Sequence, residues 1–115
     1  MASAVVRIDD LPASALEAAA QFHAEHLPQV RMAIEQADSL VIVMPFAGRA
    51  HAGWSRALVQ DLARAHAPRR VNLVAGEDAR AIGAAIAWLE RSPGVTGQLL
   101  DVDGQGAGNP AHSAV

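Results

Sequence analysis

Apolar residues gather in three nearly continuous runs: SLVIVM at residues 39–44, RVNLVAG at 70–76 and GQLLDVDG at 97–104. Apolar runs that do not alternate with polar positions mark strands buried on both faces, the condition of a parallel sheet. A shorter run, AVVRID at 4–9, is a fourth strand candidate. Between the runs the period changes from near-continuous to helical. PASALEAAAQFHAEH (12–26) combines high helix propensity with an apolar line through Leu16, Ala19, Ala20 and Phe22. Pro28 is expected to kink or break this segment before QVRMAIEQA resumes it.

GWSRALVQDLARAHA (53–67) sets Trp54, Leu58, Leu62 and Ala65 on one face and is expected to stop before Pro68. EDARAIGAAIAWLERSPG (77–94) has a candidate cap in Asp78, an apolar face of Ile82, Ala85, Ile86 and Leu89, and a terminator in Pro93-Gly94. Strands alternating with helices predict an α/β fold, a truncated Rossmann-like three-layer arrangement with a parallel sheet of about four strands. Residues 1–105 form one expected domain, and 106–115, small, polar and Gly-rich, a flexible tail. No internal repeat is present.

Composition narrows the picture. With 51% hydrophobic but only 3% aromatic residues, the core must be aliphatic and rich in alanine. Such a core removes less apolar area per residue than one built on Leu and Phe, so association with another chain could complete it. The net charge of −3 and the scattered arginines leave no concentrated basic face for nucleic acid. Cysteine is absent, which removes disulfides and thiolate chemistry. The acids in MASAVVRIDD do not suit a signal peptide, and LVIVMPFAG is too short to span a membrane. The expectation is a soluble cytoplasmic protein with no nucleic-acid or membrane partner. Tyrosine and lysine are also absent. Arginine, with a pKa above about 12, is no ordinary proton shuttle.

RRVNLVAG, a helix, and then TGQLLDVDG resemble the C-terminal half of the short-chain dehydrogenase/reductase family, in particular its ketoacyl-reductase-like members. The residues that carry the resemblance are Arg70, Val71, Asn72, Val74 and Gly76, then Thr96, Gly97, Gln98, Val102, Asp103 and Gly104. LARAHAP resembles the family's helix end before the first of these strands, and SLVIVMPFAG resembles the strand that leads to its catalytic serine. The likeness extends over about residues 22–105.

The resemblance implies a Tyr-x-x-x-Lys pair at the start of the 53–67 helix and a serine upstream. Counted back from Pro68, the tyrosine slot falls near Gly48, the lysine slot near Ala52 and the serine slot near Met44-Pro45. None of these residues can pass a proton. The family's Gly-rich nucleotide turn has no G-x-x-x-G-x-G counterpart. GQGAG follows the last strand and opens no helix, so it offers no helix N-terminus to a pyrophosphate. Ala75 stands where the family has the proline of its PG pair. The expectation is a catalytically degenerate relative with no catalytic, cofactor-binding or metal-binding residues and no cofactor.

His23 and His26, with Glu25 between them, could present imidazoles at i and i+3 to a metal, but no third ligand stands at convincing spacing, and surface histidines explain the same residues. Arg49, His51, Ser55 and Arg56 form a candidate ligand loop, where a Ser–His couple could activate a nucleophile. A polar loop capping a helix explains the same residues and is the preferred reading. Arg49, Arg56, Arg69 and Arg70 could gather round a phosphopantetheine or coenzyme A phosphate, or lie at solvated helix ends. Trp54, Leu58, Leu62, Ile82, Ile86 and Trp88 are candidate interface residues, Trp54 and Trp88 reading as interface or core anchors. Gly83-Ala84-Ala85 would allow close approach of a neighbouring backbone.

In the resembled family the helices flanking the middle of this segment form a four-helix interface, and the last helix and strand form a second. The expected function is therefore association: a non-catalytic relative that forms homo-oligomers or serves as an accessory subunit of a full-length reductase, by resemblance in acyl or polyketide metabolism. Two alternatives stand beside it. One is a reduced oxidoreductase subunit, active only when a partner supplies cofactor-binding and catalytic residues; the other is a small acyl- or anion-binding module using the Arg49–Arg56 loop.

Overall fold

The computed structural model describes residues 3–45 and 48–102. The tail expected at 106–115 lies outside the described residues. Strands β1 (Ser3–Arg7), β2 (Ser39–Met44), β3 (Arg70–Ala75) and β4 (Leu99–Asp101) form a four-stranded sheet in the order β1-β2-β3-β4, every pair parallel. The connections carry α1 (Ala15–Gln21) and α2 (Leu27–Glu35), then α3 (Ala52–His66), then α4 (Ala79–Glu90). This is a small Rossmann-like α/β fold of three layers.

Strands β2 and β3 are buried on both faces after their first residue, as continuous β-branched and aliphatic runs require. Leu40, Ile42, Met44, Val71, Leu73 and Ala75 point to one face, where Phe22, Val30, Ile34, Leu58, Val59 and Leu62 cover them. Val41, Val43 and Val74 point to the other and meet Ile82 and Leu89 of α4. Strands therefore step across the sheet in one direction while α1–α3 occupy one face and α4 the other. Crossovers on opposite faces with the same lateral step have opposite hands. At least one crossover is thus of the left-handed kind, rare because about 98% of parallel crossovers are right-handed.

That arrangement positions the candidate site. The chain leaves β2 toward one face and β3 toward the other, so a crevice opens between their C-terminal ends, where open α/β sheets receive ligands.

Pro28 does not break the first helical segment. The chain stays helical from Ala15 to Glu35, with a π-helical turn at Phe22–His26 closed by a bond from Leu27 N–H to the Phe22 carbonyl. Pro28 follows directly, and the π-helical turn before it accommodates a residue that offers no N–H to the preceding carbonyls. The wide turn also preserves the buried face. Phe22 and Val30 lie eight positions apart, about 800° along a regular helix and hence about 80° out of line; one extra residue in the turn cuts this to about 20°. Both side chains are fully buried.

Helix α4 begins at Asp78, whose carboxylate accepts from Ala81 N–H at 2.8 Å. Among the described residues no helix is long and apolar enough to cross a membrane.

Candidate functional site

The residues that resemble the family motif prove to be one another's partners. Asn72, buried at the centre of β3, donates from Nδ2 to the Val95 carbonyl at 3.0 Å and accepts at Oδ1 from Gln98 N–H at 3.1 Å. Val71 N–H donates to Thr96 Oγ1 at 3.0 Å, Gly97 N–H to the Val71 carbonyl at 2.7 Å, and Leu73 N–H to the Gln98 carbonyl at 2.9 Å. Arg70 donates from one guanidinium nitrogen to the carbonyls of Leu89, Ser92 and Val95, closing the C-terminal end of α4 with a cation. RVN and TGQ thus hold the last helix and strand against the sheet. Sequence reasoning treated Asn72 as a mark of resemblance; a polar residue inside a run buried on both faces was the signal that its side chain must have backbone partners. Gly76 completes this junction: a Cβ there would stand 2.5 Å from the Val102 carbonyl oxygen, so the close approach of β4 requires glycine.

At the other end of the sheet, the slots for serine, tyrosine and lysine do converge. Met44, Pro45, Gly48 and Ala52 line one cavity together with His51, Ser55, Trp54, Leu11, Ala75, Leu99 and Asp101. Its volume is about 30 Å³, room for about one or two water molecules and not for a substrate. Gly48 has φ 86° and ψ −179°, a backbone region that essentially only glycine occupies.

His51 sits in a short 3₁₀ turn, Arg49–His51, that leads into α3, and it is buried. Trp54 donates its indole N–H to His51 Nδ1 at 3.1 Å. An indole can only donate, so Nδ1 accepts and the ring proton is assigned to Nε2, which donates to the Ala13 carbonyl at 2.9 Å. Both ring nitrogens are committed. Ser55, also buried, donates from Oγ to the backbone carbonyl of His51 at 2.6 Å. The Ser–His couple considered from the sequence is therefore not formed side chain to side chain; the two residues instead lock the N-terminus of α3 and tie it to the loop before α1.

Arg49 and Arg56 are exposed near the start of α3. Arg69 and Arg70 lie beyond its far end, about 22 Å away at 1.5 Å per residue over a helix of 15 residues. The four arginines do not gather round one ligand. His23 donates from Nδ1 to the Ala19 carbonyl at 2.7 Å and stays exposed, while His26 lies against the Phe22 ring. Among the described residues no group of three or more His, Asp or Glu side chains is placed to hold a metal.

The candidate interface residues divide sharply. Leu58, Leu62 and Ile82 are buried within the chain's own cores. Trp54 and Ile86 are half-buried, and Trp88 is 47% exposed. Between α2 and α3 runs an open groove of about 350 Å³, its walls formed by Leu27, Trp54, Ala57 and Ala65, with Arg31 and Asp61 among its polar residues. On α4 the outward positions Gly83, Ala84 and Trp88 are exposed and uncharged.

The fold and the paired motifs define a Rossmann-like α/β protein. A family model for short chain dehydrogenase-like proteins matches residues 6–102, and the chain belongs to that family. No curated protein and no solved structure matches it.

Membership implies a nicotinamide dinucleotide, and the turns after β1 and β3 do not fit one. The turn after β1 reads IDDLPAS and the turn after β3 reads GED. Asp9, Asp10, Glu77 and Asp78 thus stand where a diphosphate would need bare backbone N–H groups, and Asp78 already caps α4. On the α4 face the strand ends form a cleft of about 310 Å³ whose charged lining is Arg7, Asp9 and Glu77. A diphosphate there would meet more negative charge than positive.

Proposed function

We propose that this chain is a non-catalytic member of its family that acts by association, forming homo-oligomers or docking onto a full-length reductase as an accessory subunit. One observation carries the reading. The family's serine, tyrosine and lysine slots, counted back from Pro68, fall near Met44-Pro45, Gly48 and Ala52, which line a cavity of about 30 Å³ beside an imidazole whose two nitrogens are both bonded. Among the described lining residues His51 has both ring nitrogens bonded and the Ser55 hydroxyl donates to a backbone carbonyl, while the one carboxylate, Asp101, lies exposed at the edge with no tyrosine or lysine to work beside it.

What the chain retains is surface. The α2–α3 groove and the exposed α4 positions Gly83, Ala84 and Trp88 present apolar area on opposite sides of the sheet, with Arg80 on the same stripe of α4. Burial of about 800 Å² per partner is typical of a stable interface. The proposed process is acyl or polyketide metabolism in a soluble cytoplasmic setting, a reading supported by the resemblance to ketoacyl-reductase-like members.

Sedimentation velocity of the purified chain, alone and mixed with a full-length reductase from the same host, tests the proposal. The expected result is a species heavier than the 12.0 kDa monomer in at least one of the two samples. A single 12.0 kDa species in both overturns it.

A further inference from the structure

Among the described residues strand β1 pairs only with β2, from Ser3↔Ser39 to Arg7↔Val43, and no described strand lies along its other edge. Ile8 N–H donates to the Val43 carbonyl at 2.8 Å, which sets the alternation of the strand's backbone. Even-numbered residues direct N–H and C=O to β2; Ser3, Val5 and Arg7 direct theirs to the open edge. The same odd-numbered side chains point to the face that α4 covers only over β2, β3 and β4. There Ser3, Val5 and Arg7 are exposed, Val5 by 40%. Edge strands in soluble proteins are normally blunted by proline, a bulge or an inward charge. The segment SAVVR has a single charge, Arg7, at its very end.

The geometry points to a second copy of this chain as the occupant of that edge, paired antiparallel about a two-fold axis at Val5. In this register Val5 opposes Val5 of the second copy, Ala4 opposes Val6, and Ser3 opposes Arg7. The register is self-complementary in both of the ways that matter. Every outward N–H and C=O of Ser3, Val5 and Arg7 meets its counterpart, because all three odd positions fall in hydrogen-bonded pairs. The one cation faces a serine hydroxyl and never its own copy. A shift by two residues in either direction would leave an outward group of the strand unpaired. The axis is perpendicular to the sheet, so both copies keep α4 on the same side and the two sheets become one of eight strands. This contact lies at an edge distinct from the α2–α3 groove and the α4 face, so it stands or falls separately from them.

The test uses the cysteine-free chain itself. Opposed residues in a hydrogen-bonded antiparallel pair have Cα atoms about 5.5 Å apart, a spacing a disulfide can span. Val5→Cys is expected to give a disulfide-linked dimer on mild oxidation. Val5→Pro removes an outward N–H and none of the bonds to β2, and is expected to run as a monomer at this edge while keeping the parent's circular dichroism spectrum. Should the proline variant fold poorly, Ser3→Arg carries the test. It sets one guanidinium against another and is expected to weaken the dimer at low salt, with recovery as salt screens the repulsion. Absence of cross-linking in Val5→Cys, or a dimer whose mass and salt dependence are untouched in Val5→Pro and Ser3→Arg, overturns the inference. Because Ala57→Arg would disrupt the helical groove and leave β1 alone, a dimer lost in that variant and kept in Val5→Pro assigns self-association to the groove and refutes the β1 pairing.

Discussion

Trp54 donates its indole N–H to Nδ1 of His51 across 3.1 Å, and that bond decides what the imidazole can do. It leaves the ring proton on Nε2, directed at the Ala13 carbonyl. Histidine at the mouth of a dehydrogenase-like fold suggests proton transfer; here it joins two loops. His51→Ala is expected to cost about 2–4 kcal/mol, from the lost bonds, the stranded Ala13 carbonyl and the space left behind. Trp54→Phe keeps the ring packing but removes the donor, and is expected to cost about 1 kcal/mol. Chemical denaturation of the two variants measures both.

The clamp at Asn72 makes a second prediction. Asn72→Ala leaves the Gln98 N–H without its acceptor and the Val95 carbonyl with Arg70 as its remaining donor, at an expected cost of about 1–3 kcal/mol. Hydrogen exchange is expected to locate the loss: amides of 95–102 lose protection first, while those of β1 and β2 keep theirs.

Gly48 tests the tyrosine slot directly. Its backbone at φ 86° and ψ −179° costs a residue with a Cβ about 1–3 kcal/mol, although nothing stands within 4 Å of the added atom. Gly48→Ala is expected to lower stability by that amount. The double variant Gly48→Tyr, Ala52→Lys, which writes a Tyr-x-x-x-Lys pair at the positions counted for it, is expected to remain without hydride-transfer activity in an NADPH oxidation assay, because the larger side chains crowd a cavity of only about 30 Å³ and the acidic turns after β1 and β3 are unchanged.

Ala57 lies exposed on the wall of the α2–α3 groove. Ala57→Arg retains high helix propensity, so stability is expected to stay within about 0.5 kcal/mol of the parent. Association through the groove is expected to fall sharply, read as a shift toward monomer in sedimentation velocity.

Much of the fold was legible in the residues because single physical causes dominated there. SLVIVM and RVNLVA are buried on both faces, so their strand signal is undiluted, and the observed bounds of β2 match the run residue for residue. Asp78 announced the start of α4 by the same capping chemistry it performs. Pro28 was misleading because its effect depends on the turn before it: a π turn both accommodates the ring and keeps Phe22 in line with Val30, and no residue pattern marks such a turn. Leu58, Leu62 and Ile82 share helical faces with exposed neighbours, and periodicity alone does not say how far the core wraps round a helix. The opposite placement of α4 was hidden for a different reason. Which face a crossover helix covers is a property of the assembled sheet, and the apolar stripe of Ile82 and Leu89 would serve either face.

The most direct test of the account is a titration of the purified chain with NADPH, followed by cofactor fluorescence in the presence of a ketoacyl substrate. The account predicts no saturable binding and no oxidation above the rate of buffer alone. Saturable binding accompanied by hydride transfer in the isolated chain would contradict it.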